Sequence, residues 1–546
     1  MRILILHFVA LMIVAPLQAQ VPDPGVWVPD NGDGTYTNPI IYADYSDPDV
    51  IRVGEDFYMT SSSFSHFPGL PILHSKDLVN WTIIGHAVQQ YPYSEFSRPQ
   101  HGMAIWAPSI RYHNGEYLIY FGDPDRGIFM TRAKNPAGPW EPLRLIRRAI
   151  GWIDPCPLWD DDGNAYLVHA WANSRSGIKS ILAVNRMNKE GTEILDDSVI
   201  VFDGHANHPT IEGPKFYKRN GYYYVFAPAG GVKPGWQTVL RSKNVFGPYE
   251  DRKVLEQGST RINGPHQGAW VDTQTGEDWF VHFQDRYAYG RITRLEPMRW
   301  EHDWPVIGED FDNNGVGEPV STHKKPDVKK SFPIEVPQTS DEFDSKILGL
   351  QWQWEANPGK HWYSLSARRG WLRLLTQSAP AGTNNLWDVP NLMLQKLPAP
   401  RFRATVKVDA SRLSSHSTSG LLMLGMDYSS VAITRGEKGY VVSQSVCMKA
   451  NKGEKENVVE SVPCDSPDVF LRAEIRPQND TAIIPIVLCS FSYSKDGKRY
   501  YSLGKVFTVR EGQWVGAKLG LFSVATGSSA VSGSLDCDWF RIEPLR

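Results

Sequence analysis

Three carboxylates stand at regular distances ahead of glycines. Asp154 and Glu212 lie nine residues before Gly163 and Gly221, and Asp47 lies seven before Gly54. Trp106 lies nine before Gly115, and His266 ten before Gly276. Asp44 and Asp49 compete with Asp47 for the first position. Side chains alternate along a strand, so Asp47 and Asp49 would share a face, and spacing does not choose among the three. Convergent carboxyl groups suit hydrolysis of a glycosidic bond. One carboxyl must be protonated to give its proton to the leaving oxygen, while an ionised one activates water or attacks carbon. Mutual repulsion raises the pKa of one member and keeps it protonated near neutral pH. A third carboxylate can tune and orient the acid, and Trp106 would supply an apolar wall. Any one Asp-Pro or Glu-Gly-Pro is by itself a turn or the start of a strand; three in register carry the functional reading.

Something must bring these residues together, and the glycines show what. Gly54-Glu-Asp-Phe-Tyr, Gly115-Glu-Tyr, Gly163-Asn-Ala-Tyr, Gly221-Tyr-Tyr-Tyr and Gly276-Glu-Asp-Trp-Phe each place a glycine turn before an aromatic strand, at intervals of 61, 48, 58 and 55 residues. Glycine supplies the positive φ of a tight hairpin. A repeat of roughly 50 residues with several strands per unit is the pattern of a β-propeller blade. One short strand precedes each turn. A third strand follows the aromatic one, and three units close with Asn80-Trp81, Gly138-Pro-Trp140 or Gly247-Pro-Tyr249. This predicts five blades between about residues 38 and 308. The first strand of each blade lines a central channel, so Asp47, Trp106, Asp154, Glu212 and His266 meet at one end of it.

The rest of the composition is that of a globular protein. At 546 residues, two or three domains are expected. With 41% hydrophobic and 21% charged residues and a net charge of −3, there is no electrostatic reason to expect nucleic acid as a partner. Nineteen Trp and twenty-three Tyr suit a β-rich protein and flat sugar faces. Arg2, the apolar run Ile3 to Val14 and Pro16-Leu-Gln-Ala19 read as a secretory signal over residues 1–19, giving a secreted or periplasmic protein with no membrane span after cleavage. The five cysteines form no C-x-x-C pair. Cys447 and Cys464 could bridge a hairpin, but mostly free, buried thiols is the better reading. Asp310-Phe-Asp312-Asn-Asn314-Gly315 mimics the start of a calcium loop, but the twelfth position is Ser321, which leaves an Asx-rich turn.

A polar, proline-bearing connector follows over 318–338, with Lys324-Lys-Pro and Lys329-Lys expected to be solvated. Beyond it the blade repeat stops. Phe402, Ala404, Val406 and Val408 alternate with Arg403, Thr405, Lys407 and Asp409 as a half-buried strand. Leu421–Leu424, Ala482–Leu488 and Leu519–Phe522 are further candidates. A second β domain is expected over 339–546.

Taken together, Asn38-Pro-Ile, Ser46-Asp47-Pro-Asp-Val-Ile, Tyr58 to Trp81, Trp106-Ala-Pro, Ile153-Asp154-Pro, Ile211-Glu212-Gly-Pro, His266-Gln-Gly and Gly290-Arg291 resemble glycoside hydrolase family 43. The resemblance is nearest to its two-domain β-xylosidase and α-L-arabinofuranosidase members and spans nearly the whole chain after the signal. It implies a five-bladed propeller, a C-terminal concanavalin-A-like β-sandwich and inversion of configuration. It also implies a carboxyl separation of roughly 6.5–9.5 Å. Asp47 matches the general base, Glu212 the general acid, and Asp154 the residue that raises the acid's pKa and holds it in place. Phe64, Trp106 and Arg291 match positions that shape the first sugar subsite. His266 matches a channel histidine that in many members sits beside a water-coordinated calcium ion. Ser46-Asp47-Pro-Asp49 departs from the Asp-Pro-Ser of many members. The implied substrates are plant cell-wall polysaccharides or oligosaccharides, cut from chain ends without a cofactor. The sandwich can lend a loop to the pocket rim, with the region around Trp514 as the candidate. Asp341, Glu342 and Asp538 could hold a structural calcium, although surface carboxylates are the simpler reading. An endo-arabinanase or galactan-directed hydrolase on the same fold, and a glycan-binding propeller without catalysis, are the alternatives.

Overall fold

A computed structural model describes residues 25–436, 439–525 and 533–545. The proposed signal, residues 1–19, lies outside them. Five antiparallel sheets form the blades of the N-terminal part, four of four strands and one of five. Blade I comprises Asp49–Val53, Asp56–Thr60, Gly69–Ser75 and Trp81–Val88; blade II runs from Ser109–His113 to Arg144–Arg148. Blade III starts at Trp152–Trp159 and blade IV at Lys215–Arg219. Blade V starts at His266–Asp272, and its fourth position is taken by an N-terminal strand, Ile41–Asp44, paired to Arg291–Glu301. The first blade strand and the chain-closing strand therefore lie a few residues apart in sequence, on opposite sides of the seam that closes the ring.

All five turn glycines have positive φ, between 67° and 86°. In blades II and IV, Asn114-Gly115 and Asn220-Gly221 are both left-handed, as the two-residue hairpin of matching twist requires. In blades II to IV the fourth strand escapes the repeat pattern: it is an outer edge strand, half exposed, as in Glu250–Leu255, and carries no continuous apolar face.

The C-terminal part is two stacked sheets, antiparallel except where Gln377–Ser378 runs parallel to Lys518–Ala525. One contains Lys518–Ala525 between Met393–Lys396 and Ser417–Leu424; the other contains Phe402–Asp409 between Ser534–Pro544 and Asp468–Pro477. Phe402, Ala404, Val406 and Val408 point inward with no exposed surface, as their alternation predicts. Two expectations need correcting. The strand expected at Ala482–Leu488 starts only at Val487. Ahead of it, Pro485 cannot donate to a ladder, and the carbonyls of Ala482 and Ile483 accept from Arg286 of the propeller instead. In the connector, Lys325 is not simply solvated: it pairs with Asp30 and Asp77, while Thr322–Lys324 pairs with Thr35–Thr37. The connector is thus strapped along the propeller. All five cysteines are free and buried.

The two parts share one apolar core. Tyr42, Ala288, Tyr289 and Ile292 of blade V cluster with the sandwich interior. The Tyr289 hydroxyl donates to the Pro400 carbonyl over 2.7 Å. No helix among the described residues is long and apolar enough to cross a membrane.

Candidate active site

The heads of the innermost strands converge as the repeat requires, and two of the carboxylates sit on unusual backbone. Asp47 and Asp154 both have φ of 55°, the left-handed region that costs a non-glycine residue free energy. Asp47 precedes the first blade strand, so it is not part of extended chain and does not share the environment of Asp49. Asp154 lies where pairing with the second strand of blade III shifts register between Ile153 and Cys156. Such a bulge re-aims a side chain at the end of a sheet.

The structure separates the three competing aspartates. Asp49 is fully buried between blades: its Oδ2 accepts from the Ile110 amide and from Arg111, each over 2.7 Å. Asp44 accepts from two backbone amides, Arg291 and Gly516, each over 2.9 Å. Asp47 alone faces other functional side chains. Its Oδ2 accepts from the Ser62 hydroxyl over 2.5 Å, and Arg291 Nη1 lies 3.1 and 3.3 Å from its two oxygens. Two donors on one carboxylate fix its plane, and the guanidinium partner makes these charge-assisted bonds.

Asp154 and Glu212 form the second half of the site. The amide of Gly213, next in sequence to Glu212, donates to Asp154 Oδ2 over 2.8 Å. Burial pushes the Asp154 carboxyl up to about 7 and the Asp47 charge adds to this, against the Gly213 amide, Lys215 and Arg291. Glu212 keeps 27% of its side chain exposed, yet desolvation by the surrounding blade heads still pushes it up to about 8. Repulsion from Asp154 and then Asp47 adds to the rise, while Arg291 opposes it. The pair therefore holds a proton at a pH where a free carboxyl would be ionised.

His266 lies beside them, its Nε2 3.5 Å from Glu212 Oε1. Burial, with Arg291 and His282 nearby, pushes its imidazole down to about 3, so the ring is neutral. Neither ring nitrogen has a hydrogen-bond partner within the protein. Among the described residues no group of three or more His, Cys, Asp or Glu is placed to hold a metal ion. Calcium takes six to eight oxygen ligands, so an ion beside His266 would draw them largely from water. Elsewhere the carboxylates considered for calcium have other partners. Asp341 accepts from the Phe343 amide and Trp352 Nε1, Glu342 pairs with Arg541, and Asp538 with Lys407. In the Asp310 turn, the amides of Asn314 and Gly315 donate to Asp310.

Aromatic side chains wall the site. Phe64, itself left-handed at φ 50°, meets Trp106 edge-on at 6.1 Å between ring centroids. Trp514 of the sandwich also meets Trp106 at 6.1 Å and is 46% exposed. A cleft beside Arg291 is lined jointly by Lys233 and Asp285 of the propeller and by Glu511, Trp514 and Val515 of the sandwich. Arg175, held by Asp125, lies 5.6 Å from the Trp106 ring. Ser62, Arg175 and the amide-binding role of Asp44 escape sequence reading. Ser62 stands in a run of small polar residues with no periodic signal, and Arg175 is on a short helix, Asn173–Ser176, outside the repeat.

Comparisons with known proteins agree with this architecture. The family described as "Glycosyl hydrolases family 43" matches residues 36–305, and "Beta xylosidase C-terminal Concanavalin A-like domain" matches 340–543. A protein of Xylanibacter ruminicola is 42% identical over 90% of this chain and 86% of its own. A "Beta-xylosidase" of Formosa agariphila is 33% identical, covering 94% and 91%. A "Non-reducing end alpha-L-arabinofuranosidase" of Bacteroides ovatus is 29% identical, covering 94% and 95%. Among solved structures, the "GH43 BlXynB protein" from Bacillus licheniformis superposes with a TM-score of 0.79 at 28% identity, over 94% of this chain and 100% of that one.

Proposed function

The chain belongs to glycoside hydrolase family 43 and is a glycoside hydrolase, and from that premise we propose that it releases xylose or arabinose, with inversion, from the ends of plant cell-wall chains. Glu212 is the general acid that protonates the leaving oxygen. Asp47 is the base that takes a proton from the attacking water. Asp154 keeps Glu212 protonated by its charge and positions it through the Gly213 amide. The observation that carries this assignment is the contrast between the two halves of the site. Burial raises both Glu212 and Asp154, with repulsion from Asp154 added at Glu212 and repulsion from Asp47 added at Asp154, whereas Asp47 accepts from a guanidinium and a hydroxyl. One half suits proton donation and the other suits proton acceptance.

Arg291 orients the base, and Phe64 and Trp106 give an apolar wall against which a pentose ring can stack. The chemistry needs no cofactor. The names of the relatives support the two pentoses. The meeting of Trp514 with Trp106 supports action at chain ends, since a loop across the rim obstructs a groove open at both sides. The apolar run at the N-terminus supports an exported enzyme working on extracellular glycan. A panel of aryl β-xylosides and α-L-arabinofuranosides, with product analysis on xylo-oligosaccharides, arabinan and arabinoxylan, tests the reading. Monosaccharides alone are expected. Internal cleavage products would replace it with an endo-acting hydrolase, and Glu212→Gln with unchanged turnover would leave only glycan binding.

A further inference from the structure

We infer that Asp44 is a positioning residue that couples the sandwich to the catalytic pocket, holding the loop that carries Trp514 and the backbone that carries Arg291 in a single register. The side chain is buried at the end of the chain-closing strand, 4% exposed. It spends its two oxygens on two parts of the molecule. Oδ1 accepts from the amide of Arg291, whose guanidinium holds Asp47. Oδ2 accepts from the amide of Gly516, two residues after Trp514 in the sandwich loop between Tyr501–Val509 and Lys518–Ala525. One carboxylate thus bonds to both the propeller residue that orients the base and the sandwich segment that supplies the rim.

The surroundings leave this bridge little freedom. Gly290 has φ of 79°, and a Cβ there would fall 2.4 Å from Asp44 Cγ. A Cβ on Gly516 would fall 2.6 Å from the Gly290 amide nitrogen. Two glycines therefore let the two backbones approach each other at the point where Asp44 reaches both. One residue further along, the Ala517 amide donates to the Ala288 carbonyl over 2.8 Å, which continues the seam. Trp514 itself is left-handed at φ 65°, a conformation that its flanking contacts must impose. Asp44 is also three residues from Asp47, so a shift of this segment moves the base directly. A displacement of about 1 Å in a reacting group can cost on the order of 100-fold in rate.

The inference rests on the pocket being the hydrolytic site, so Glu212→Gln is assayed alongside. The experiment is a double-mutant cycle of Asp44→Asn and Trp514→Ala, with kcat and KM measured on an aryl glycoside and on a longer oligosaccharide. Asn keeps the shape and one acceptor oxygen but turns an NH2 group toward the other amide. We expect Asp44→Asn to lower kcat/KM by about 10- to 100-fold and to remove most of the effect of Trp514→Ala in the double variant. Gly516→Ala, which forces the same seam apart without touching any side chain of the pocket, should reproduce the kinetic change. A purely structural role would lower the melting temperature while leaving both KM and the Trp514 effect as in the wild type. Additive Asp44 and Trp514 effects, or wild-type kinetics in both Asp44→Asn and Gly516→Ala, would overturn the inference while an inactive Glu212→Gln left the function standing. A Glu212→Gln variant with normal turnover would overturn both.

Discussion

The amide of Gly213 donates to Asp154 Oδ2 over 2.8 Å, tying the carboxylate at the head of blade III to the backbone that carries Glu212 at the head of blade IV. Asp154 therefore acts on Glu212 twice, through its charge and through the position of the peptide next to it. Most of the expected behaviour of the site follows from this link.

Replacing Asp154 by Asn should move the alkaline limb of the rate profile to lower pH. As the proposed general acid, Glu212 must be protonated to act, so activity should be lost as pH rises through its raised value of about 8. Burial is the first cause of that rise and the Asp154 charge the second. Removing the charge leaves burial and lowers the limb by about one pH unit, equivalent to about 1.4 kcal/mol. A kcat/KM profile of wild type and variant checks the shift, and an upward or absent shift would contradict the assignment.

Asp47→Asn should reduce kcat on every substrate, including those with good leaving groups, because activation of water is lost. Glu212→Gln should cost about 100- to 10,000-fold on poor leaving groups and much less on activated aryl glycosides. Following the first-formed anomer by proton NMR should show inversion. A retained anomer would make Asp47 a nucleophile instead.

Ser62→Ala removes the 2.5 Å bond to Asp47 Oδ2 and leaves Arg291 in place. A hydrogen bond to a charged group is worth about 1.5–3 kcal/mol, so kcat/KM should fall by about 10- to 100-fold. Steady-state kinetics measures this, and an unchanged value would mean that Arg291 alone sets the orientation of the base.

Away from the pocket, Glu355 of the sandwich is 1% exposed between two propeller histidines, 3.1 Å from His66 Nε2 and 3.4 Å from His101 Nδ1. Burial would raise its carboxyl, but attraction to His66, with His101 and Lys518 behind it, holds it down at about 2. A depressed folded-state value stabilises the protein above the unfolded-state value near 4.5, and that contribution is lost as pH falls toward 2. Burial pushes the His66 imidazole down at the same time, so the pair is fully charged only on the acid side of neutrality, where Glu355→Gln should cost about 1.5–3 kcal/mol and flatten the loss of stability between pH 4.5 and 2. Denaturant unfolding across that range would show a parallel curve if the carboxylate were not the group responsible.

Much of this molecule is written in short stretches of its sequence. A glycine with positive φ before an aromatic strand is dictated by local sterics, and five such turns state the blade number. The alternation Phe402, Ala404, Val406, Val408 likewise states which face of a sandwich strand is buried. Asp154 and Glu212 could be picked out because each sits at a fixed offset from its own turn. The choice among Asp44, Asp47 and Asp49 could not be made that way. It depends on what reaches each carboxylate, and the donors come from far along the chain. Arg291 is 244 residues from Asp47, and Gly516 is 472 residues from Asp44. Local periodicity carries no information about such partners. Closing the propeller ring and seating the sandwich on blade V bring them together, so only the tertiary structure decides that Asp47 faces the pocket, that Asp49 joins two blades, and that Asp44 ties the sandwich to the site.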